Sequence, residues 1–335
     1  MAASPSTMVQ AGDVEVRVTN PDKVFFSKHG QTKLDLVEYY LAVADPIMDA
    51  IGGRPQLLQR FPDGASGKSF YQKRVPKGAP EWLQTTTVST PNGTTSNAMV
   101  AADVAHLVWA VNLGCLGFHG WPFLAANPAF TDELRIDLDP TPGTTFDDVR
   151  RAAFDTRELL AELGVNSYVK TTGSKGLHVF SRLEHEWDSY QVRGGAVALA
   201  RELERRHPDR LTAAWWKEER GQRVFVDFNQ NAPHKTVFGA WSVRSRVGAQ
   251  VSTPLSWDAL EQAHPNDLTM DTVVARFDEL GDPWSDIADE PQSINRLLDM
   301  HNNDLNRGLG DAPWPPVYPK MPLEPPRVAP SRAKK

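Results

Sequence analysis

Apolar and polar positions alternate first at Val14–Val18, where Glu15 and Arg17 separate three valines, the period-two signature of a half-buried strand. The dozen residues before it are small and polar and predict a frayed end. Thr32, with Asp35 three residues on, predicts a capped helix over 34–51 that stops at Gly52-Gly53. Residues 54–60 and 69–73 read as two strands around the turn Pro62-Asp63-Gly64, and 85–89 continues the β pattern. Residues 103–112 read as helix.

The sharpest alternation is 134–139. Leu134, Ile136 and Leu138 take one face, and Arg135, Asp137 and Asp139 the other. Pro140 ends the strand, and Thr145 with Asp148 opens a helix running to Gly164. Strands at 167–171 and 177–181 flank a glycine-rich turn. A helix follows over 194–206, an alternating strand over 223–228, and helices over 256–263 and 269–280. This order predicts a mixed α/β fold with no internal repeat. No clean linker interrupts residues 14–280, and residues 14–300 are expected to form one domain of two interlocked lobes sharing a cleft. Residues 311–335 hold eight prolines and end on Arg332-Ala333-Lys334-Lys335, a basic extended tail, wrapped on the body or free.

Composition narrows the function. Hydrophobic residues make up 40% and charged residues 23%, as in a globular chain. The N-terminus lacks a basic start and apolar core, and no run approaches the roughly 20 apolar residues of a membrane span, which predicts a cytoplasmic protein with no membrane partner. Cys115 is the one cysteine, which excludes an intramolecular disulfide and a thiolate zinc cluster. The formal charge of −6 does not advertise nucleic-acid binding, yet a local basic cleft is enough for phosphate contacts.

Four constellations carry candidate chemistry. Asp137 and Asp139 share one strand face about 6–7 Å apart, where they repel unless a divalent cation sits nearby or the face is simply wet. Asp227, in the apolar strand Val224–Phe228, is costly unless metal-bound or paired with Arg223 or Arg244. Three such carboxylates on two strands can hold two divalent ions for phosphoryl transfer. Thr171–His178 places hydroxyls, Lys175 and backbone N–H groups in a turn between strands; it suits a phosphate, or is a hairpin with a polar tip, and it lacks the Walker A spacing. His119 lies among apolar neighbours, as a core histidine or a hydrogen-bond donor to a phosphate or sugar. Arg220, Lys235, Arg244 and Arg246 surround Asp227 in sequence and interleave with Phe238 and Trp241, as in a charged groove. Lys23, Lys28 and Lys33 cluster near the N-terminus, where a solvated charge run is the alternative.

Together these motifs resemble the archaeo-eukaryotic primase superfamily, specifically the polymerase domain of bacterial ligase D and its stand-alone mycobacterial primase-polymerase relatives. Leu113–Trp121 is similar to that family's histidine motif and Arg135–Pro140 to its DxD. Thr172–His178 is similar to its nucleotide loop, and Val224–Phe228 with Asn231 to its third-carboxylate motif. The resemblance implies a primase-polymerase core with an RRM-like sheet and a smaller αβ lobe. It implies a DNA-directed nucleotidyltransferase that adds nucleoside triphosphates to a 3′-hydroxyl with two Mn2+ or Mg2+ ions, filling gaps in DNA repair and end joining or priming. Asp137, Asp139 and Asp227 would be catalytic and hold the metals. His119, Thr172, Ser174, Lys175, Gly176, His178, Arg220 and Arg244 would hold the nucleotide, and Phe70 and Tyr71 would stack on a base. Lys23 and Lys33 would grip the 5′-phosphate of a gap. Ribonucleotides would serve at least as well as deoxyribonucleotides. Partners would be template-primer or gapped DNA, with a ligase on a separate protein and an end-binding protein. A metal-dependent phosphoesterase or nuclease on the same aspartates, and a catalytically silent DNA-end-binding module, are the competing readings.

Overall fold

The alternating segment around Asp137 becomes the centre of a sheet. In the computed structural model, which describes residues 4–332, Glu133–Asp139 lies between Val224–Asp227 and Leu177–Arg182 in a six-stranded sheet. The strand order is Leu211–Thr212, Val224–Asp227, Glu133–Asp139, Leu177–Arg182, Tyr168–Thr171, Pro254–Leu255. All pairs are antiparallel except the first. Helices Phe146–Glu162 and Ser189–Arg206 interrupt the chain order of the four central strands as β-α-β-β-α-β, the RRM-like arrangement. Both helices pack on one face, over Leu134, Ile136 and Leu138, each no more than 1% exposed. Both also carry the capping boxes their sequences encode, Thr145 with Asp148 and Asp188 with Gln191. The second helix begins at Ser189, five residues before the expected Gly194, because Gly194 is an interior position: a Cβ there would sit 2.9 Å from His301 of helix Asn295–Asn306. The glycine permits a close helix crossing.

A second sheet, Val237–Phe238, Cys115–Gly120, Pro55–Arg60, Thr95–Val100, Thr85–Ser89, carries Phe70–Gln72 on the far edge of Pro55–Arg60. Helices Lys33–Ala42 and Val104–Asn112 and the hairpin Ser6–Ala11/Val14–Thr19 belong to this lobe. One hydrophobic cluster runs through both lobes. The expected frayed end is instead an edge strand from Ser6, paired residue for residue with Val14–Thr19. The single helix expected over 34–51 is two, Lys33–Ala42 and Ala44–Ile51. Pro46 explains the break: it has no N–H for the carbonyl four residues back, and its ring would strike that carbonyl.

The two sheets meet across a layer of buried charge. Arg54 clamps Asp132 through two hydrogen bonds of 2.6 and 2.7 Å, while Glu133 accepts from Arg135 at 2.7 Å and Arg182 at 3.0 Å. All five side chains are at most 8% exposed. Paired this way the charges are tolerable; removing one partner would strand the others in a dry layer.

The proline-rich tail wraps the body. Trp314 and Tyr318 are buried against Ala232. Glu324 holds the wrap closed, accepting from the N–H groups of Trp314 at 2.8 Å and Met321 at 3.0 Å and from Arg327 at 2.6 Å. Ala333, Lys334 and Lys335 of the expected basic end lie outside the described residues. Burial pushes the Glu324 carboxyl up, but the Arg327 guanidinium and the two N–H groups together outweigh it and hold the pKa at about 2. A depressed carboxylate stabilises the fold above its ordinary pKa, and that contribution disappears as pH falls from about 4.5 towards 2. Glu324→Gln, which loses charge-assisted bonds worth about 1.5–3 kcal/mol, should speed tryptic cleavage at Lys320 and Arg327 at neutral pH. Wild type should acquire the same susceptibility to an acid protease only below about pH 4. Equal cleavage of both proteins at pH 7 would count against this closure.

Candidate active site

Register places the chemistry. Lys170 pairs with His178, His178 with Asp137, and Asp137 with Asp227, so four polar side chains form a row across four adjacent strands. Asp139 stands two residues along from Asp137 at the strand end, facing the same side. Asp137, Asp139 and Asp227 each offer an oxygen, and these lie within 4.8 Å of one another. The structure thus brings together the three carboxylates the sequence singled out.

That convergence is electrostatically costly. Burial, and next the charge of Asp137, raise the Asp227 carboxyl to about 7; burial also raises Asp137 and Asp139, which repel one another. Asn229 N–H donates to Asp227 Oδ1 at 2.8 Å, and the Gln230 amide bridges Asp227 Oδ2 at 2.9 Å and Asp137 Oδ2 at 3.3 Å. Asp137 Oδ1 is buried without a hydrogen bond, although His178 Nε2 lies 3.2 Å away. A free oxygen lone pair in a cluster of three carboxylates is the donor set of a hard divalent cation. The residues therefore fit a metal site. Asp227 pairs with neither arginine considered from the sequence: Arg223 turns to Glu204, and Arg244 Nε donates to the Thr172 carbonyl at 2.6 Å.

Behind the carboxylates stands Lys170, fully buried, which the motif reading passed over. Its ammonium reaches His178 Nδ1 at 2.8 Å, the Phe238 carbonyl at 2.9 Å and Ser252 Oγ at 2.7 Å. Burial, then Arg244, push the Lys170 amine well below the usual lysine range; where it donates to Nδ1, the ring proton is on Nε2, towards Asp137. Burial, then the neighbouring Lys170, hold His178 well below the usual histidine range, and the ring is neutral. The available signal was a lone lysine in the apolar strand just before the glycine-rich turn. Gln230 carried none beyond standing three residues after Asp227.

The turn itself lines a cleft of about 680 Å³ with Asp137, Asp139, His178, Arg244 and Arg246. Thr172 Oγ1 accepts from the N–H groups of Ser174 and Gly176, each at 3.2 Å, so this hydroxyl shapes the loop and two of its N–H groups point inward. Gly176 lets the loop press on the strand of Asp137 and Asp139: a Cβ there would lie 2.7 Å from the Leu138 carbonyl. Ser174 Oγ accepts from Arg246 at 2.6 Å, and Lys175 stands exposed at the cleft.

The other lobe supplies a wall. Arg244 stacks 3.8 Å over Phe238, Phe238 meets His119 edge-on at 5.0 Å, and His119 meets Tyr71 at 6.1 Å. Tyr71 and Phe70 are 60% and 46% exposed, an unusual display of aromatic surface suited to stacking. Burial, then Arg244 and Lys170, lower His119 to about 3; its ring is neutral, and its buried Nε2 has no partner. Arg220 lies 3.4 Å over Phe225 and is tied to the carbonyls of Ala214 and Trp215.

Lys23 and Lys33 are neighbours, Lys33 N–H donating to the Lys23 carbonyl at 2.8 Å. Lys23 is partly exposed and pairs with Asp63 at 3.0 Å. Lys33 is 5% exposed and donates to the carbonyls of Thr19 and Asn112 at 2.6 and 3.1 Å. The first turn of its helix offers no free N–H at Lys33, Leu34 or Asp35, which donate to the carbonyls of Lys23 and Pro21 and to Thr32 Oγ1, and the capping box adds the Asp35 carboxylate there.

The chain matches the family model "LigD, primase-polymerase domain" over residues 32–284. It is 33% identical over 308 residues to the multifunctional non-homologous end joining protein LigD of Mycolicibacterium smegmatis, covering 91% of this chain and 40% of that protein. The bifunctional non-homologous end joining protein LigD of Bacillus subtilis is 30% identical over 280 residues, 83% of this chain and 45% of its own length. The chain thus spans less than half the length of these curated relatives. Its fold is similar to the solved polymerase domain of Mycobacterium tuberculosis ligase D in complex with DNA. The TM-score is 0.77 at 30% identity, over 83% of this chain and 99% of that one.

Neutralising one carboxylate tests the electrostatic cost. A carboxyl raised to about 7 destabilises the charged fold above that pH and ceases to do so as pH falls. With chelator at pH 8, Asp227→Asn should therefore stabilise the protein by about 1–3 kcal/mol in urea unfolding. Nucleotide addition should be lost. A variant less stable than wild type would refute the repulsion.

Proposed function

The chain belongs to the LigD primase-polymerase family, a family of DNA nucleotidyltransferases, and from that premise we propose a template-dependent primase-polymerase that fills short gaps during DNA repair and end joining. The observation that carries this reading is the convergence of Asp137, Asp139 and Asp227 beside a cleft lined with cations. Two divalent ions, Mn2+ or Mg2+, would be held by these carboxylates, with Asp137 and Asp139 shared and Asp227 towards the attacking 3′-hydroxyl. The ions, when bound, stabilise charge on the attacking and leaving oxygens.

The remaining roles follow from the chain's own groups. Lys175, Ser174, Arg244 and Arg246 line the side of the cleft where a triphosphate finds donors, and Gly176 keeps that loop close to the carboxylates. Lys170 fixes the His178 ring, and His178 presents an N–H beside Asp137. The wall from Arg244 through Phe238 and His119 to Tyr71 supports a nucleotide extended from its phosphates to its base, with Tyr71 and the face of Phe70 away from Arg60 left to stack on it or on the template. Arg220, held flat on Phe225 near Asp139 and Asp227, adds positive charge to that edge. Substrates would be nucleoside triphosphates, ribonucleotides at least as well as deoxyribonucleotides, with template-primer or gapped DNA. A DNA ligase and an end-binding protein would be its partners in end joining.

Incubation with 5′-phosphorylated gapped DNA, either nucleotide pool and either metal should give templated extension only when nucleotide is present. Shortening of the strand without nucleotide would favour a nuclease. Lys23, with Lys33 behind it, would hold the 5′-phosphate. Lys23→Ala should weaken binding to the phosphorylated gap about tenfold, leave a hydroxyl-ended gap nearly unaffected, and lose its penalty in high salt. Equal losses on both DNAs would reduce Lys23 to general backbone attraction.

A further inference from the structure

Asp227 is the last residue of its strand, and the chain turns away immediately through Asn229–Asn231. A metal-binding carboxylate at a strand end needs that turn held still, and the holding group comes from far along the chain. Arg193, 1% exposed in the second turn of helix Ser189–Arg206, donates from Nε to Asn229 Oδ1 at 2.8 Å. The same guanidinium reaches Asp311 at 2.9 Å and the carbonyls of Ala312 and Pro313 at 3.0 and 3.2 Å, and lies 3.8 Å over the ring of Trp314. Asn229 closes the circuit, its Nδ2 donating to the Pro313 carbonyl at 3.0 Å while its N–H holds Asp227 Oδ1.

Trp314 is fixed in turn by Asp311 through Nε1 at 2.6 Å and by Glu324 through its N–H. Tyr318 donates its hydroxyl to the carbonyl of Pro233, just beyond the turn, and packs with Trp314 on Ala232. The tail therefore grips the segment after Asp227 on both sides, through polar bonds to Asn229 and through an aromatic contact at 232–233. The tail's side of these contacts, residues 311–324, lies outside residues 32–284, which carry the family match.

We propose that residues 311–324 act as a strap whose function is to position Asp227 for the metal, with Arg193, Asn229 and Trp314 as positioning residues. The inference rests on the carboxylates being the metal site. Groups behind a metal ligand commonly set affinity by factors of about 10–100. The strap should accordingly tune how tightly the site holds a divalent ion, while leaving the chemistry of the loaded enzyme intact.

The test is a Mn2+ titration of the full chain, followed by loss of the free-ion electron paramagnetic resonance signal, for wild type, Trp314→Ala and Tyr318→Phe. Nucleotide addition is measured against Mn2+ concentration in parallel. Trp314→Ala should weaken Mn2+ binding about tenfold. Tyr318→Phe, which removes one hydrogen bond and keeps the ring, should weaken it about two- to threefold; it decides the matter should the alanine variant fail to fold. Both should regain wild-type turnover when Mn2+ is raised, and both should keep the wild-type far-ultraviolet circular dichroism in chelator, which separates weakened binding from loss of folded protein. Unchanged Mn2+ affinity in a folded variant would overturn the strap's role and leave the metal reading standing. A wild type that binds no Mn2+ would overturn the metal reading and the strap with it.

Discussion

Three carboxylates crowded within 4.8 Å at the end of a sheet constitute the constraint around which the rest of the molecule is arranged. Such a cluster is unfavourable in the folded chain, and the raised pKa of every member records it. The surroundings compensate at a distance and leave the oxygens available. Lys170 and Arg244 contribute positive charge to Asp137 without salt-bridging it, and Gln230 supplies a neutral amide between two carboxylates. A direct lysine or arginine clamp would have relieved the repulsion more completely, at the cost of the free lone pairs a cation needs.

The same sheet face changes character along the central strand. Glu133 and Arg135, at its start, are locked into the dry ionic layer with Arg54, Asp132 and Arg182 that joins the lobes. Asp137 and Asp139, at its end, open into the cleft. One strand thus supplies both the rigid joint and the reactive edge. Rigidity in the joint matters because the second lobe carries the wall of Arg244, Phe238, His119 and Tyr71, whose distance from the carboxylates the joint determines.

Placing this chain in the LigD primase-polymerase family gives these features a common purpose, since nucleotidyl transfer is largely a matter of positioning and charge stabilisation. A preformed carboxylate cluster, a neutral histidine beside it and a cation-lined cleft are parts that suit such a reaction before substrate arrives. Phe70 and Tyr71 are exposed aromatic side chains at the outer end of the wall that runs from Arg244.

What the sequence determined by itself was local. Period-two alternation placed Asp137 and Asp139 on one strand face, capping boxes placed the helix starts at Thr32 and Thr145, and four short motifs in order identified the family. Where local signals competed, the sequence misled: Pro46 divided a helix that its apolar periodicity continued, and Gly194 marked a helix crossing and not a helix start. Only the tertiary structure decided the register that sets Asp227 opposite Asp137 and Lys170 opposite His178, because strand pairing is fixed by which faces must be buried across the whole sheet. Only it, too, could turn a proline-rich tail that composition left open, wrapped or free, into a buttress for Asn229. Contacts between residues 193, 229 and 314 depend on closing long loops, and no pattern within a local window encodes that closure.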